Sequence, residues 1–144
     1  MGDNRANFKL IPYVGSFGFS GSFEHLTSEN LGWGASLTFL PEEDDPEKVS
    51  AGLVAFGGNM YLHVPVDKVD IYFSPGLQIM MMELGEQDET RIGSSFAVGT
   101  MLRLGENIEM GLEHAIHQPW FSKDFFAASR IYYSNTAIAV RVRF

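Results

Sequence analysis

Five charged residues in the C-terminal third have the types and spacing to form an ion-pair network. Glu109 and Glu113 share one parity of their segment, and Arg141 and Arg143 share one parity of theirs. The other parity is apolar in both segments, so on strands all four would lie opposite the greasy face. A three-residue hairpin at Gly105-Glu106-Asn107 would pair Leu104 with Ile108 and Arg103 with Glu109, setting opposite charges against each other across the strands. Arg103, Glu109, Glu113, Arg141 and Arg143 are therefore expected to form a lumenal network that plugs a closed sheet rather than conducting through it. The competing reading makes them exposed rim charges.

Other chemistry finds little support. The histidines are His25, His63, His114 and His117, whereas a zinc site needs at least three ligands converging on one point. On a strand His114 and His117 point to opposite faces, so loop or interfacial places are expected for the histidines. Glu42-Glu43-Asp44-Asp45 lacks the spacing and glycine of a calcium loop and reads as a solvated charge run. Met80-Met81-Met82 reads as bulky strand filling rather than a ligand set. With no cysteine, disulfides and thiolate metal sites are excluded. Ten Lys+Arg against 18 Asp+Glu give a net charge of −8, which offers no basic field for a phosphate backbone, so no nucleic-acid partner is expected. No glycine-rich strand-to-helix element is present for a nucleotide, and neither cofactor, metal nor catalytic residue is assigned.

The elements that must position the charges are strands. Aromatics at 13% and 15 glycines favour β structure, and alternation by twos recurs along the chain. It runs through residues 11–24, 31–39, 69–81, 92–104 and 108–116, and is blurred over 49–56. Gly57-Gly58 reads as a bulge, a bend or a turn. The C-terminal part reads in two ways. Strands at 125–133 and 136–144 are joined by a Ser134-Asn135 turn, or 129–144 is one strand and the missing strand comes from a hairpin near Gly15–Gly21 or Gly57–Asn59. The count is eight strands in a single domain over 1–144, with residues 1–7 as an N-terminal tail. Eight strands of about 9–11 residues fit this length with room for connections. The start of the chain has no signal-peptide pattern, which implies either a cytosolic protein or a mature form.

The faces decide between two barrels. In a soluble barrel the parity opposite the greasy one should be rich in Lys, Glu, Thr and Asp. Here it is mainly Gly, Ser and Ala, a poor soluble exterior but suitable filling for a narrow eight-stranded lumen. The fold expected is all-β, an eight-stranded antiparallel up-and-down transmembrane β-barrel whose Phe, Leu, Ile, Val and Trp face lipid. Trp33, Trp120, Tyr13, Tyr61, Tyr72, Tyr132 and Tyr133 would suit aromatic girdles. The alternative is a soluble lipocalin-like barrel that lines a lipid or small-molecule pocket with its greasy parity.

The C-terminus, Ala137-Ile138-Ala139-Val140-Arg141-Val142-Arg143-Phe144, alternates strictly and ends in phenylalanine. It resembles the assembly signal of bacterial outer-membrane β-barrels, with Ile138, Val140, Val142 and Phe144 at the matching positions. The stretch Pro65-Val66-Asp67-Lys68-Val69-Asp70-Ile71-Tyr72 resembles a periplasmic turn and following strand of the OmpA-like transmembrane domain class. These resemblances imply a monomer in the bacterial outer membrane, with outer-membrane lipids and the barrel assembly machinery as partners and both termini periplasmic. They also imply a structural role or one exerted through loops. Tyr132-Tyr133-Ser134-Asn135 is similar to the His-x-Ser-Asn element of lipid A deacylase barrels, but Tyr132 stands where the histidine should be and no acid follows. Absence of enzyme activity is the expectation.

Overall fold

The computed structural model describes residues 4–13, 15–45, 48–50, 52–120 and 133–144. Their strands, in chain order, are β1 (Asn4–Tyr13), β2 (Ser16–Ser28), β3 (Leu31–Leu40), β4 (Glu43–Asp45), β5 (Lys48–Ser50), β6 (Gly52–Val66), β7 (Val69–Leu84), β8 (Gln87–Arg103), β9 (Ile108–Pro119) and β10 (Tyr133–Arg143). Eight of them close an antiparallel barrel in the order β1-β10-β9-β8-β7-β6-β3-β2, while β4 and β5 form a separate hairpin between β3 and β6. The expected architecture is met.

Tight turns set the register. Positive φ occurs at Gly15 (80°), Asp67 (56°) and Gly85 (61°), each in a two-residue connection between paired strands. Such left-handed positions match the strand twist of short hairpins. The chain ends and the β2–β3, β6–β7 and β8–β9 turns share one rim, here called the terminal rim. The other four connections share the far rim. Asn4 and Phe144 exchange both backbone hydrogen bonds at the terminal rim, at 3.2 and 3.0 Å. From there the β1–β10 seam is paired only over residues 5–10 against 138–143.

Two expectations about boundaries are corrected. Residues 4–7, read as tail, belong to β1, where Arg5 and Asn7 point inward. The single strand read over 11–24 is two strands hinged at 14–15. A two-residue turn swaps which parity faces in, but Ile11 and Tyr13 are apolar on the inside and Phe17 and Phe19 are apolar on the outside, so the sequence pattern runs on unbroken. This supplies the missing strand, and Ser134-Asn135 lies within β10 rather than in a turn. Gly57-Gly58 stays paired within β6.

The wall is inverted relative to a soluble protein. Phe8, Phe19, Leu37, Leu77, Val98, Leu112 and Ile138 are exposed on the outside, while Glu24, Asp70, Glu109 and Arg141 are buried inside. The interior is layered along the axis. Ile11, Leu40, Leu53, Ala55, Met80, Met82 and Ala137 form an apolar cluster toward the far rim. Tyr61, Tyr72, Met101 and Ala139 form a second cluster, and charges gather toward the terminal rim. Small residues make room for large ones: a Cβ on Gly99 would collide with the Tyr72 ring, and one on Gly32 with the Glu24 carboxylate. These collisions explain why glycine falls on the inward parity.

Candidate functional site

The interior near the terminal rim holds the densest polar chemistry among the described residues. Arg141 is fully buried; its Nη1 donates to Asp70 Oδ2 at 2.5 Å and to Glu109 Oε2 at 3.0 Å, and its Nε donates to Asn7 Oδ1 at 2.8 Å. Its guanidinium carbon also stands 4.8 Å from the centre of the Tyr72 ring. His63 lies between two carboxylates, with Nδ1 2.8 Å from Asp70 and Nε2 2.6 Å from Glu24. Arg5 Nη1 approaches Asp70 at 3.5 Å and Glu24 at 3.9 Å. Burying so many charges is tolerable only because each meets an opposite one in a medium that magnifies both attraction and desolvation.

Four of the five predicted network residues come together here. Glu109 accepts from Arg141 and Arg143, and Arg103 Nε stands 3.9 Å away with its side chain half-exposed at the rim. Arg103 and Glu109 are cross-strand partners, as the hairpin predicts. Glu113 belongs elsewhere: it is bound by Lys9 Nζ at 2.7 Å and accepts from the Tyr72 hydroxyl. Sequence reasoning missed Arg5, Lys9, Glu24, His63, Asp70 and Tyr72. Asp70 and Glu24 did sit on the parity opposite the greasy one, a usable signal, whereas Arg5 was hidden by the tail assignment.

The remaining sequence candidates are distributed over both faces. Tyr61 and Tyr72 are buried inside rather than in a girdle, because their hydroxyl and ring edges find polar and aromatic company there. Trp33 and Trp120 are exposed, Tyr13 packs on the far-rim core, and Tyr132 lies outside the described residues. His63 and His117 are buried rather than interfacial; His117 Nδ1 is 2.8 Å from Gln78 Oε1. Ile138 and Phe144 of the terminal signal are exposed, with Phe144 6.3 Å from the Phe23 ring. Val140 and Val142 share that outward parity at half-buried positions. Ser134 Oγ lies 3.0 Å from His114 Nε2, and Thr136 Oγ1 lies 3.0 Å from His114 Nδ1, all on the outer face. A histidine of β9 thus stands beside Ser134 across the sheet.

The outer face is greasy and the inner face carries the charge, which is the pattern of a barrel surrounded by lipid. The family model for the outer membrane protein beta-barrel domain matches residues 2–144. The chain belongs to this family. It is accordingly a bacterial outer-membrane protein, and the soluble alternative fails because its greasy parity would have to line the inside. No curated protein matches the chain in sequence. Solved structures that it resembles include the N-terminal β-barrel domain of Pseudomonas aeruginosa OprF, with TM-score 0.73, 10% identity and 100% of both chains covered. Neisserial surface protein A gives 0.64 at 15% identity, covering 98% of this chain and 94% of that one. Ail, the attachment invasion locus protein of Yersinia pestis, gives 0.57 at 9% identity, with 99% of each covered. At these identities the likeness establishes the fold, that of a small outer-membrane barrel.

Proposed function

We propose that this outer-membrane barrel is a monomer with a filled polar lumen, acting structurally or through its far-rim loops, and neither a wide pore nor an enzyme. The observation that carries this reading is the layered interior. The cavity at mid-barrel, beside Lys9, Asn59, Gln78 and Glu113, has a volume of only about 20 Å³, room for one water, and the far-rim cluster of Leu40, Leu53, Met80 and Met82 caps it. In this reading the ion pairs of Arg103, Glu109, Arg141 and Arg143, with Glu113 held separately by Lys9, fill the lumen. The terminal rim faces the periplasm, and Ile138, Val140, Val142 and Phe144 serve the assembly machinery.

Refolding in detergent tests the closed barrel. The protein should run as a compact fast band on SDS gels that slows after boiling, and in planar bilayers it should give no large stable conductance. Folding without detergent into a soluble monomer with no gel shift would sink the proposal.

Among the described residues, the Ser134–His114 contact is the one feature that favours a lipid-modifying enzyme. Its histidine has a threonine hydroxyl rather than a carboxylate at Nδ1, which orients the ring but stabilises an imidazolium poorly. A fluorophosphonate probe should therefore leave Ser134 unlabelled in lipid vesicles. Labelling at Ser134 that disappears in His114→Ala would establish an active nucleophile and overturn the non-enzyme reading.

A further inference from the structure

The outer wall is apolar over most of its height, but three polar side chains meet on it. Thr136 of β10 and His114 of β9 are cross-strand partners, Ser134 is the next outward residue of β10 toward the far rim, and all three are exposed. His114 Nδ1 stands 3.0 Å from Thr136 Oγ1, and its Nε2 3.0 Å from Ser134 Oγ. A neutral imidazole has one N–H and one lone pair, and each hydroxyl has one O–H and two lone pairs. The two contacts therefore use two of the three protons, whichever tautomer the ring adopts. One O–H and three oxygen lone pairs remain on the outer face, where hydrocarbon offers neither acceptor nor donor.

The wall is interrupted beside this cluster. Asn4 and Phe144 exchange both ladder bonds, so the bonded pairs that follow along the seam are Ala6–Val142, Phe8–Val140 and Leu10–Ile138. Pro12 and Thr136 would come next, but proline has no N–H, and the pairing stops at Leu10–Ile138. Ser134 and Thr136 thus lie on a stretch of β10 that pairs with β9 but, among the described residues, not with β1. One rung toward the terminal rim, the same three strands present Leu10, Ile138 and Leu112, all exposed. A polar row therefore stands directly above a greasy one. Thr136 and Ser134 come eight and ten residues before Phe144. At about 3.3 Å per residue and a tilt of about 40°, that is roughly 20–25 Å along the axis, the far edge of an apolar band about 25 Å tall.

We propose that this outer face docks a 3-hydroxyacyl chain of a glycolipid in the outer leaflet. The chain's carbonyl accepts the spare O–H of the cluster, and its 3-hydroxyl donates to a remaining lone pair of Ser134 or Thr136. The hydrocarbon beyond runs over Ile138, between Leu10 and Leu112. A plain acyl ester has a carbonyl but no donor, so it answers only half of the cluster, and this separates the hydroxylated chain from those of ordinary phospholipids. The depth agrees, because carbonyl and 3-hydroxyl lie at the head of a chain whose tail points to the midplane. The proposal rests on the reading that the terminal rim faces the periplasm, which places the far rim in the outer leaflet. It adds no reaction and gives the Ser134–His114 contact a binding role.

NMR of the folded protein in non-ionic detergent, with isotope-labelled histidine, tests this with two probes that differ by one hydroxyl. Methyl 3-hydroxytetradecanoate should shift the His114 ring-nitrogen resonances saturably. Methyl tetradecanoate should bind about three- to tenfold more weakly, the scale of one hydrogen bond between neutral groups. Purified lipid A should compete for the site, and phosphatidylglycerol should not. Ser134→Ala combined with Thr136→Val removes both hydroxyls and keeps the His114 reporter; it should lose the preference for the hydroxylated ester while the gel shift shows the barrel intact. Equal affinity for the two esters, no saturable shift, no competition by lipid A, or a preference that survives in the folded double variant would overturn the proposal. Orientation is checked separately with Glu86→Cys, in the exposed β7–β8 turn of a chain without cysteine. A polyethylene glycol maleimide too large to cross the outer membrane should label it on intact cells. Labelling only in broken cells would overturn the periplasmic terminal rim, and the outer-leaflet source with it, whereas labelling of intact cells together with equal ester affinities would overturn the docking site alone.

Discussion

Arg141→Met should lower the unfolding free energy by about 3–5 kcal/mol, the usual cost of leaving a buried charge without its partner. Arg141 is fully buried and its Nη1 serves both Asp70 and Glu109, so one substitution weakens two carboxylate sites at once. Asp70 would retain His63, and Glu109 would retain Arg143, which argues for the lower end of that range. Reversible urea unfolding in lipid vesicles measures the change. Adding Asp70→Asn and Glu109→Gln to Arg141→Met should recover part of the loss, because the penalty lies in the stranded charges rather than in the missing contacts. A triple variant as unstable as the simple sum of the three would refute that account.

Gly34→Val should abolish folding. A Cβ at Gly34 would run into the carbonyl oxygen of Phe23 on β2, and backbone cannot swing aside as a side-chain tip can. Ordinary overpacking costs about 1–3 kcal/mol, and displacing a ladder strand should exceed that. Gly58→Ala, on the neighbouring β6, is the control, because its added methyl would meet only the Gly34 carbonyl oxygen at 3.9 Å, ordinary contact. On SDS gels the first variant should show no heat-shifted band and the second a normal one. A folded Gly34→Val would mean that the close approach between β2 and β3 is soft.

Much of the architecture was legible because strand parity is a binary signal that lipid inverts. Phe, Leu and Trp at every second residue against Gly and Ser named both the barrel and its outward face. Parity failed where two strands of opposite sense joined without interrupting it, at the 14–15 turn, since Ile11 and Tyr13 supply apolar filling inside just where Phe17 and Phe19 supply apolar surface outside. That concealment removed Arg5 from consideration. The ion pairs were half legible for a related reason. Arg103 and Glu109 meet across one hairpin, a local relation that sequence can express. Glu113 meets Lys9 across the β1–β10 seam, a relation fixed only by ring closure, and meets Tyr72 over Gly99 of the intervening β8. Tyr61 and Tyr72 show the same limit: an aromatic residue with a hydroxyl suits a membrane interface and a polar lumen alike, and only its register tells which.

The short seam has a kinetic consequence. Seven of the eight barrel interfaces join barrel strands that follow one another along the chain, so each can form as a local hairpin. The eighth, between β1 and β10, must bring the two ends of the chain together, and it gains ladder bonds only over residues 4–10 against 138–144. Loop closure is entropically costly, and among the barrel's eight interfaces this one has the greatest sequence separation with the shortest paired stretch to offset it. The seam is therefore the last interface to zip during insertion and the first to part on unfolding, and the amides of Ala6, Phe8 and Leu10, which point across it, should exchange hydrogen ahead of those in the long β7–β8 ladder.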